Sequence, residues 1–416
     1  MRRALVIGGS LGGLIVAHLL RSTGCDVIVF ERNEEELASR GVGLGTHPQL
    51  IAILKRAGID FDASMGITPP RAVCLDASGR IIIDRPTART LSGWSRLYRA
   101  LLDALPAPTY RLGKKLVRVA QDANGVTAIF ADGTSKRGDL LVGADGIRST
   151  VRAQFLPEIQ PVYAGYVAWR AVLDEVDVPP DLWREMVELY AFCLPEGEQL
   201  ISYAVPGRNN DTAIGRRAYN IVWYRPVDRD TLIDICTDAD GRHHFGGIPP
   251  PLIRADVIAR VKADAKALIA PQIAEIFART APFFQPIYDL VSPRLVFGHA
   301  VLAGDAAFVA RPHAGAGTTK AALDAACLAD SIRDAGDDLD AGLKRYERMQ
   351  QPFGSAMVAL NREEGAYLSA QLKPKGQRTA AELNRDIGAV LRAHIDRSEQ
   401  VGEIVAAHGL AALAGA

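Results

Sequence analysis

The residues of this chain best suited to do chemistry sit in two glycine-rich turns far apart in sequence. In VLAGDAAFVARPHAGAGTTKAALDA (301–325), Gly304 and Asp305 end an apolar run; Pro312, Gly315, Ala316, Gly317, Thr318 and Thr319 then lead into an Ala-rich helix. Such a loop offers a carboxylate, a kinked backbone and N–H groups at a helix N-terminus. These suit a polyhydroxylated, partly anionic ligand such as a flavin dinucleotide. Near the other end, Gly8-Gly9-Ser10-Leu11-Gly12-Gly13 follows a short apolar run, and Glu31 closes a second one. Glycines there let the backbone approach a pyrophosphate, and the acidic side chain receives ribose hydroxyls. Ser10 stands where the G-x-G-x-x-G pattern has its middle glycine. This turn alone says dinucleotide; the 301–325 stretch points to FAD and to a domain assembled from distant segments. A third motif, GADGIRSTVR (143–152), supplies Asp145, Gly146, Ser149 and Arg152. It reads either as part of the same site or as a strand-end turn in which Asp145 caps the next helix.

The elements that must position these turns are legible in outline. Residues 4–7 read as a buried strand, LIVAHLLRSTG as a helix closed by Gly24, and DVIVFER as a second strand, which makes a βαβ opening. GVGLG is a turn before a helix ending at Gly58. AVCLDASGRIIID reads as a hairpin, RLYRALLDAL as a helix stopped by Pro106 and Pro108, and the segment around Asn124-Gly125 as paired strands. DLLVG is another buried strand. From 155 to 225 aromatic residues concentrate in alternating runs such as LISYAVPG and AYNIVWYRPV, which predict an antiparallel sheet. The loop 241–251 is turn-rich, 252–282 helical, and 294–304 a strand. From 318 the chain is mostly helical, and 379–416 is Ala-rich without a clear core face. The fold class expected is α/β: a discontinuous Rossmann-like FAD-binding domain (1–72, 95–155 and 290–350), a smaller antiparallel-sheet substrate domain (73–94 and 156–289) and C-terminal helices (351–416).

Composition narrows the function classes. The 416 residues predict about two domains. A formal net charge of zero argues against nucleic acid or an anionic membrane as partner. No apolar run is long enough to span a bilayer, and the start MRRALVIGG is not followed by a small-residue cleavage site. The five cysteines form no C-x-x-C pair. A disulfide framework and a zinc site are therefore not expected, and a reducing cytoplasm is. His243-His244 reads as part of a flexible loop rather than a metal site.

Together the three motifs resemble the FAD-dependent aromatic hydroxylases, the p-hydroxybenzoate hydroxylase class of single-component flavin monooxygenases, over roughly residues 1–350. The resemblance implies a cofactor-binding set of Gly8, Gly9, Ser10, Leu11, Gly13, Glu31, Arg32, Arg40, Asp145, Gly304, Asp305, Pro312, Gly315, Ala316, Gly317, Thr318 and Thr319. Gly8, Gly13 and Glu31 would hold the ADP part of FAD, Asp145 would serve both FAD and the pyridine nucleotide, and Asp305 would hold the ribityl chain. The 312–319 loop would lie along the flavin ring, although Thr319 replaces the asparagine common in that class. The arginine that the class carries near the next helix has no clean match, since Trp94 or Arg96 could stand there. VYAGYVAWRAVL, QLISYAVPGRNN and RPHAGAG look similar to the dihydroxypyridine-hydroxylating branch of the class. That implies NADH or NADPH as electron donor, O2, a flavin hydroperoxide, and a small aromatic or N-heterocyclic substrate, with a homodimer as the assembly.

Within that frame His313 is a candidate for substrate contact or proton transfer, or for fixing its own loop. His47 follows the GVGLG turn near the expected flavin edge, or is simply the first residue of a helix. Tyr203 and Tyr219 could hydrogen-bond a ring hydroxyl, or be core tyrosines. Arg170 could bind an anionic substrate or form an ion pair within the sheet. The alternatives are a reductase or other oxidoreductase of the same flavoprotein fold, a non-flavin NAD(P)-dependent dehydrogenase, and a FAD-binding protein without turnover. The W-x-W-x-I-P segment of a halogenase is absent from the sequence.

Overall fold

Four apolar residues in a row, Ala4 to Ile7, are what a strand buried on both faces requires, and Arg3–Ile7 forms that strand. The computed structural model describes residues 1–37, 43–383, 390 and 397–414. The chain turns at Gly8, whose φ of +105° and distance of 2.3 Å from a Cβ to the Ala144 carbonyl oxygen leave room for glycine only. Helix Leu11–Ser22 follows and ends before Gly24 at φ +88°. Strand Asp26–Phe30 then pairs in parallel with the first.

A six-stranded sheet grows from this unit in the order Val296–Phe297, Ala300–Leu302, Leu140–Gly143, Arg3–Ile7, Asp26–Phe30, Tyr110–Arg111. Its register places the three turns. Ile7 pairs with Gly143, and Gly143 with Leu302, all in parallel. The turns that leave these strands at Gly8, Ala144 and Ala303 therefore stand side by side at one sheet edge, the carboxyl ends where open α/β sheets bind ligands.

The second sheet has eight strands, in the order Phe308–Val309, Phe283–Val291, Val162–Asp174, Ala218–Pro226, Gln199–Val205, Leu189–Cys193, Arg71–Leu75, Ile81–Pro86. Its outermost pairing, Leu290 with Val309, carries the sheet past residue 289 and into the chain that bears the 301–325 loop. Alternation divides the faces. Trp169, Leu200, Tyr219 and Trp223 pack under helices Ala255–Leu268 and Pro271–Ala278, whereas Tyr166, Tyr190, Tyr203 and Tyr224 form a separate aromatic layer on the other side. Helices Gly317–Asp334 and Leu339–Glu364 complete the main core. The C-terminal helix Arg397–Ala407 corrects one expectation: it does have a core face. Val401, Val405 and the following Leu410 are buried against that same core. Among the described residues, no helix is long and apolar enough to cross a membrane.

Candidate active site

Two cavities open along the carboxyl edge of the six-stranded sheet. The larger, about 430 Å³, is lined by Gly8, Ser10, Glu31, Arg32, Asp145 and Arg148 among others. Helix Leu11–Ser22 points its N-terminus here with no side-chain cap at Ser10 and no acidic residue in its first turn, so its N–H groups and positive end are available to an anion. Glycine is obligatory around them. A Cβ on Gly9 would lie 2.2 Å from the Tyr110 hydroxyl, and one on Gly13 would lie 1.9 Å from the Gly8 carbonyl oxygen. Buried Glu31 accepts the Gly9 and Asn33 N–H groups, each at 2.9 Å, which ties the glycine turn to the second strand. Leu11 is the buried first residue of the helix. The half-buried Asp145 carboxylate accepts the Thr150 N–H at 2.7 Å and the Ser149 hydroxyl at 2.5 Å, so it caps the next helix while facing this cavity. Enclosure pushes its pKa up, and these hydrogen bonds oppose that. Arg148 donates to the Phe245 carbonyl at 2.8 Å, which draws the 241–251 loop to the cavity, where Gly246 joins the lining. In the same loop His244 pairs with Asp238 at 2.7 Å.

The smaller cavity, about 220 Å³, lies between the aromatic face of the eight-stranded sheet and the 301–325 loop. Gly43, Gly45, Arg89, Asp305, Pro312, His313, Gly315, Gly317 and Thr318 line one side; Arg170, Tyr190, Ile201, Tyr203, Val222 and Tyr224 line the other. Asp305 is open to the cavity yet ringed by protein, and that enclosure pushes its pKa up while Lys320 pulls it down. Gly315, at φ +59°, turns the chain into helix Gly317–Asp334, whose N-terminus again has no side-chain cap. A Cβ on Gly317 would meet nothing within 4 Å, so this helix end opens onto free space.

His313 is buried in the wall of this cavity. Its Nε2 shares a 2.6 Å hydrogen bond with the Tyr166 hydroxyl, and its ring lies 5.1 Å from that of Tyr224. The loop around it is braced from below. Arg311 forms a bidentate pair with Asp289, its Nη2 2.8 Å from Oδ2, and the Ala314 N–H donates to Asn361 at 2.8 Å. A Cβ on Gly365 would come within 2.7 Å of the Tyr166 hydroxyl. Tyr203 lines the cavity; burial raises its pKa, so its hydroxyl is neutral at physiological pH.

Three expectations change. Tyr219 points to the opposite face, where its hydroxyl donates to Ser202 at 2.9 Å. His47 does not line the cavity: it is fully buried, with Nδ1 3.0 Å from the Thr319 hydroxyl. The two residues, with buried Ala316 beside them, fasten the Gly43–Gly45 strand to the helix N-terminus instead of presenting groups to a ligand. Among the described residues Arg170 makes no ion pair in the sheet; its Nε donates to Gln285 at 2.9 Å. Trp94 lines the larger cavity, whereas Arg96 reaches Ser64. Arg40 lies outside the described residues.

Sequence reasoning missed a buried clamp. Lys320 Nζ donates to the Gly304 carbonyl at 2.9 Å and lies 3.3 Å from Asp324, which in turn accepts the Gly304 N–H at 2.8 Å. Both peptide groups of Gly304 are thereby pinned to one helix turn beside Asp305. The i, i+4 spacing of Lys320 and Asp324 was the available signal, but such spacing usually marks an exposed helix pair. Taken together, the glycine cradle, two uncapped helix N-termini and the flanking Glu31 and Asp305 fit an extended dinucleotide with an anionic centre and a polar ring.

Comparison with known proteins agrees with this geometry. Residues 6–36 match the NAD(P)-binding Rossmann-like domain and residues 163–289 the FAD binding domain-like family. The chain is 32% identical to 2,6-dihydroxypyridine 3-monooxygenase of Paenarthrobacter nicotinovorans, over 86% of this chain and 89% of that one. It is 30% identical to the FAD-dependent urate hydroxylase of Klebsiella pneumoniae, over 83% and 85%. The solved structure of 2,6-dihydroxypyridine-3-hydroxylase from Arthrobacter nicotinovorans superposes with a TM-score of 0.82, covering 92% of this chain and 96% of that one at 30% identity. The chain belongs to the FAD-binding monooxygenase family. It is an enzyme of that class, a flavoprotein with FAD as cofactor and NAD(P)H as electron donor.

Proposed function

We propose that this enzyme hydroxylates an electron-rich, hydroxylated N-heterocycle of pyridine type, and that it does so in the smaller cavity. The observation that carries the reading is the facing of Asp305 and the His313 loop, across some 220 Å³, by a wall of Tyr190, Tyr203, Val222 and Tyr224. That space suits a single planar ring. In this reading Gly8–Gly13 and Glu31 would hold the ADP part of FAD, and Asp305 would receive the ribityl hydroxyls. The 312–319 loop would hold the flavin ring. Held there, FAD would supply the redox chemistry, hydride acceptance from NAD(P)H and activation of O2.

The protein's own residues supply orientation, dryness and proton control. The Tyr203 hydroxyl, kept neutral by burial, donates to a ring oxygen. The Tyr166–His313 pair, sealed behind Tyr224 and the Arg311–Asp289 brace, holds the loop at the edge of the ring and keeps water out. The activity of the relative named for 2,6-dihydroxypyridine supports the choice of heterocycle. All five cysteines are free thiols, which supports a reducing compartment such as the cytoplasm. A homodimer is proposed on family resemblance alone, and light scattering tests it.

The deciding experiment loads the purified protein with FAD and offers hydroxypyridines, hydroxynicotinates and phenols. NADH or NADPH oxidation stimulated by a hydroxypyridine, with one labelled oxygen atom from O2 in the product, is expected. Stimulated oxidation that yields only peroxide, or a reduced product without oxygen gain, refutes the reading.

A further inference from the structure

The peptide that links Gly9 to Ser10 is held from one side only. Tyr110, on the edge strand of the six-stranded sheet, donates its hydroxyl to the Gly9 carbonyl at 3.1 Å. The backbone is trans throughout the described residues, so the Ser10 N–H points away from the Gly9 carbonyl. The two sides of this peptide meet different surroundings. Gly8 and Ser10 line the larger cavity, whereas Tyr110 lines a separate depression with Leu102 and Pro106. The bonds that tie the turn engage the Gly8 N–H, with the Phe30 carbonyl at 2.9 Å, and the Gly9 N–H, with Glu31 at 2.9 Å; among the described residues none engages the Ser10 N–H. Glycine at position 9 tolerates either orientation of the peptide that follows it, and the opposite orientation would aim a carbonyl at an anion. Tyr110 is itself backed. Its hydroxyl lies 3.3 Å from that of Tyr98, and Tyr98 accepts the Leu37 N–H at 3.2 Å. Tyr110 directs its one proton to Gly9, so Tyr98 is the donor between the two hydroxyls. The chain therefore has a single polarity, from the Leu37 N–H through Tyr98 and Tyr110 to the Gly9 carbonyl. Tyr98 is fully buried and stacked on Trp94, ring centroids 4.9 Å apart. Burial pushes the Tyr110 hydroxyl well above the ordinary phenol range, so it keeps the proton it donates.

We propose that Tyr110, backed by Tyr98, is a positioning residue for FAD: it locks the Gly9–Ser10 peptide with its N–H turned to the cofactor diphosphate. The locked N–H adds to those of the uncapped helix N-terminus that follows it. Because the lock acts on one peptide, it favours the diphosphate and is indifferent to the adenosine beyond it. The inference rests on the placement of the ADP part of FAD given above and is independent of the substrate.

The test titrates the full-length apoprotein with FAD, ADP and adenosine by calorimetry, with a thermal melt of each variant. Wild type should prefer ADP to adenosine. Tyr110→Phe keeps the ring beside Gly9 and removes the donor; it should weaken FAD and ADP by about tenfold and leave adenosine within about twofold. Tyr98→Phe should reduce the preference for ADP less, by about threefold, because Tyr110 keeps its own proton. The double variant should be no worse than Tyr110→Phe, since Tyr98 acts through Tyr110. A merely structural role would weaken ADP and adenosine alike and lower the melting temperature with them. An unchanged ratio of ADP to adenosine affinity in Tyr110→Phe, or losses in that ratio that add in the double variant, overturns the lock. If Tyr110→Phe gives no folded apoprotein, the same ratio in Tyr98→Phe decides. Gly13→Ala separates the lock from the placement beneath it. ADP binding that survives Gly13→Ala overturns both, whereas its loss there beside an unchanged ratio in Tyr110→Phe overturns the lock alone.

Discussion

Replacing Lys320 by methionine should be among the most damaging single changes outside the glycine turn. Both Lys320 and Asp324 have side chains 1% exposed, and Asp324 Oδ1 already lacks a partner. Methionine fills the space of the lysine stem but strands the Asp324 carboxylate and frees the Gly304 carbonyl. Breaking a buried ion pair on one side costs about 3–5 kcal/mol, which for a chain of this size lowers the apparent melting temperature by roughly 4–6 °C. The loss should depend on pH. Burial already raises the folded pKa of Asp324, and Lys320 is the main force lowering it. Without Lys320 that pKa rises further, so the folded variant holds its proton to higher pH than the unfolded chain does. The variant's deficit is then small near pH 5 and grows as the pH climbs through the raised value. Asp324→Asn on top of Lys320→Met removes the stranded charge yet keeps an acceptor for the Gly304 N–H, and it should recover half of the loss or more. Thermal melts of the apoprotein at pH 5 and pH 8 check this, with FAD fluorescence titration as an independent readout of the displaced Gly304–Asp305 turn. A single variant that melts within a degree of wild type at pH 8, or a double variant no better than the single, refutes the clamp.

Three further outcomes are expected. Gly13→Ala should abolish FAD binding, because its Cβ would sit 1.9 Å from a backbone oxygen, whereas Gly12→Ala, with only the Ala321 Cβ at 3.5 Å, should leave apoprotein stability unchanged or slightly raised by helix propensity; flavin titration and melts of both decide. Tyr203→Phe should raise the KM or lower the kcat for the heterocycle by about tenfold, and Tyr219→Phe should cost about 1 kcal/mol of stability with unchanged kinetics, since the two hydroxyls face opposite sides of the sheet. Asp76 and Asp122 have pKa values lowered to about 2 by hydrogen bonds from Ser78 and Arg137 respectively. Their stabilisation is complete above the usual carboxylate range and disappears as the pH falls towards 2, so Asp76→Asn with Asp122→Asn should flatten the acid limb of a melting-temperature profile and leave the alkaline limb unchanged.

Some of this site was readable in the sequence because backbone geometry there dictates residue type. Gly8, Gly9 and Gly13 sit where any side chain would collide with backbone or with Tyr110, and such a demand writes itself into sequence as glycine. The order strand, glycine turn, helix, strand then fixes a βαβ unit, and the later Gly143 and Gly304 turns join it through parallel pairing. The 301–325 loop was legible for the same reason: Gly315 adopts positive φ and Asp305 interrupts an apolar run.

What stayed hidden depends on register and on what packs where. Tyr203 and Tyr219 are equivalent within their own strands, and only the pairing of Tyr203 with Asn220 puts the two hydroxyls on opposite faces. A slip of one residue would exchange them, and nothing in either strand alone excludes that slip. Lys320 and the C-terminal Val401 and Val405 follow the same logic: their burial is decided by the elements laid over them. His47 and Thr319, 272 residues apart, meet only because the Gly43–Gly45 strand and the helix N-terminus border one cavity. The cofactor cradle is a local backbone problem, solved in local sequence. The substrate cavity is a problem of faces: pairing alone decides that Tyr203, and not Tyr219, lines it.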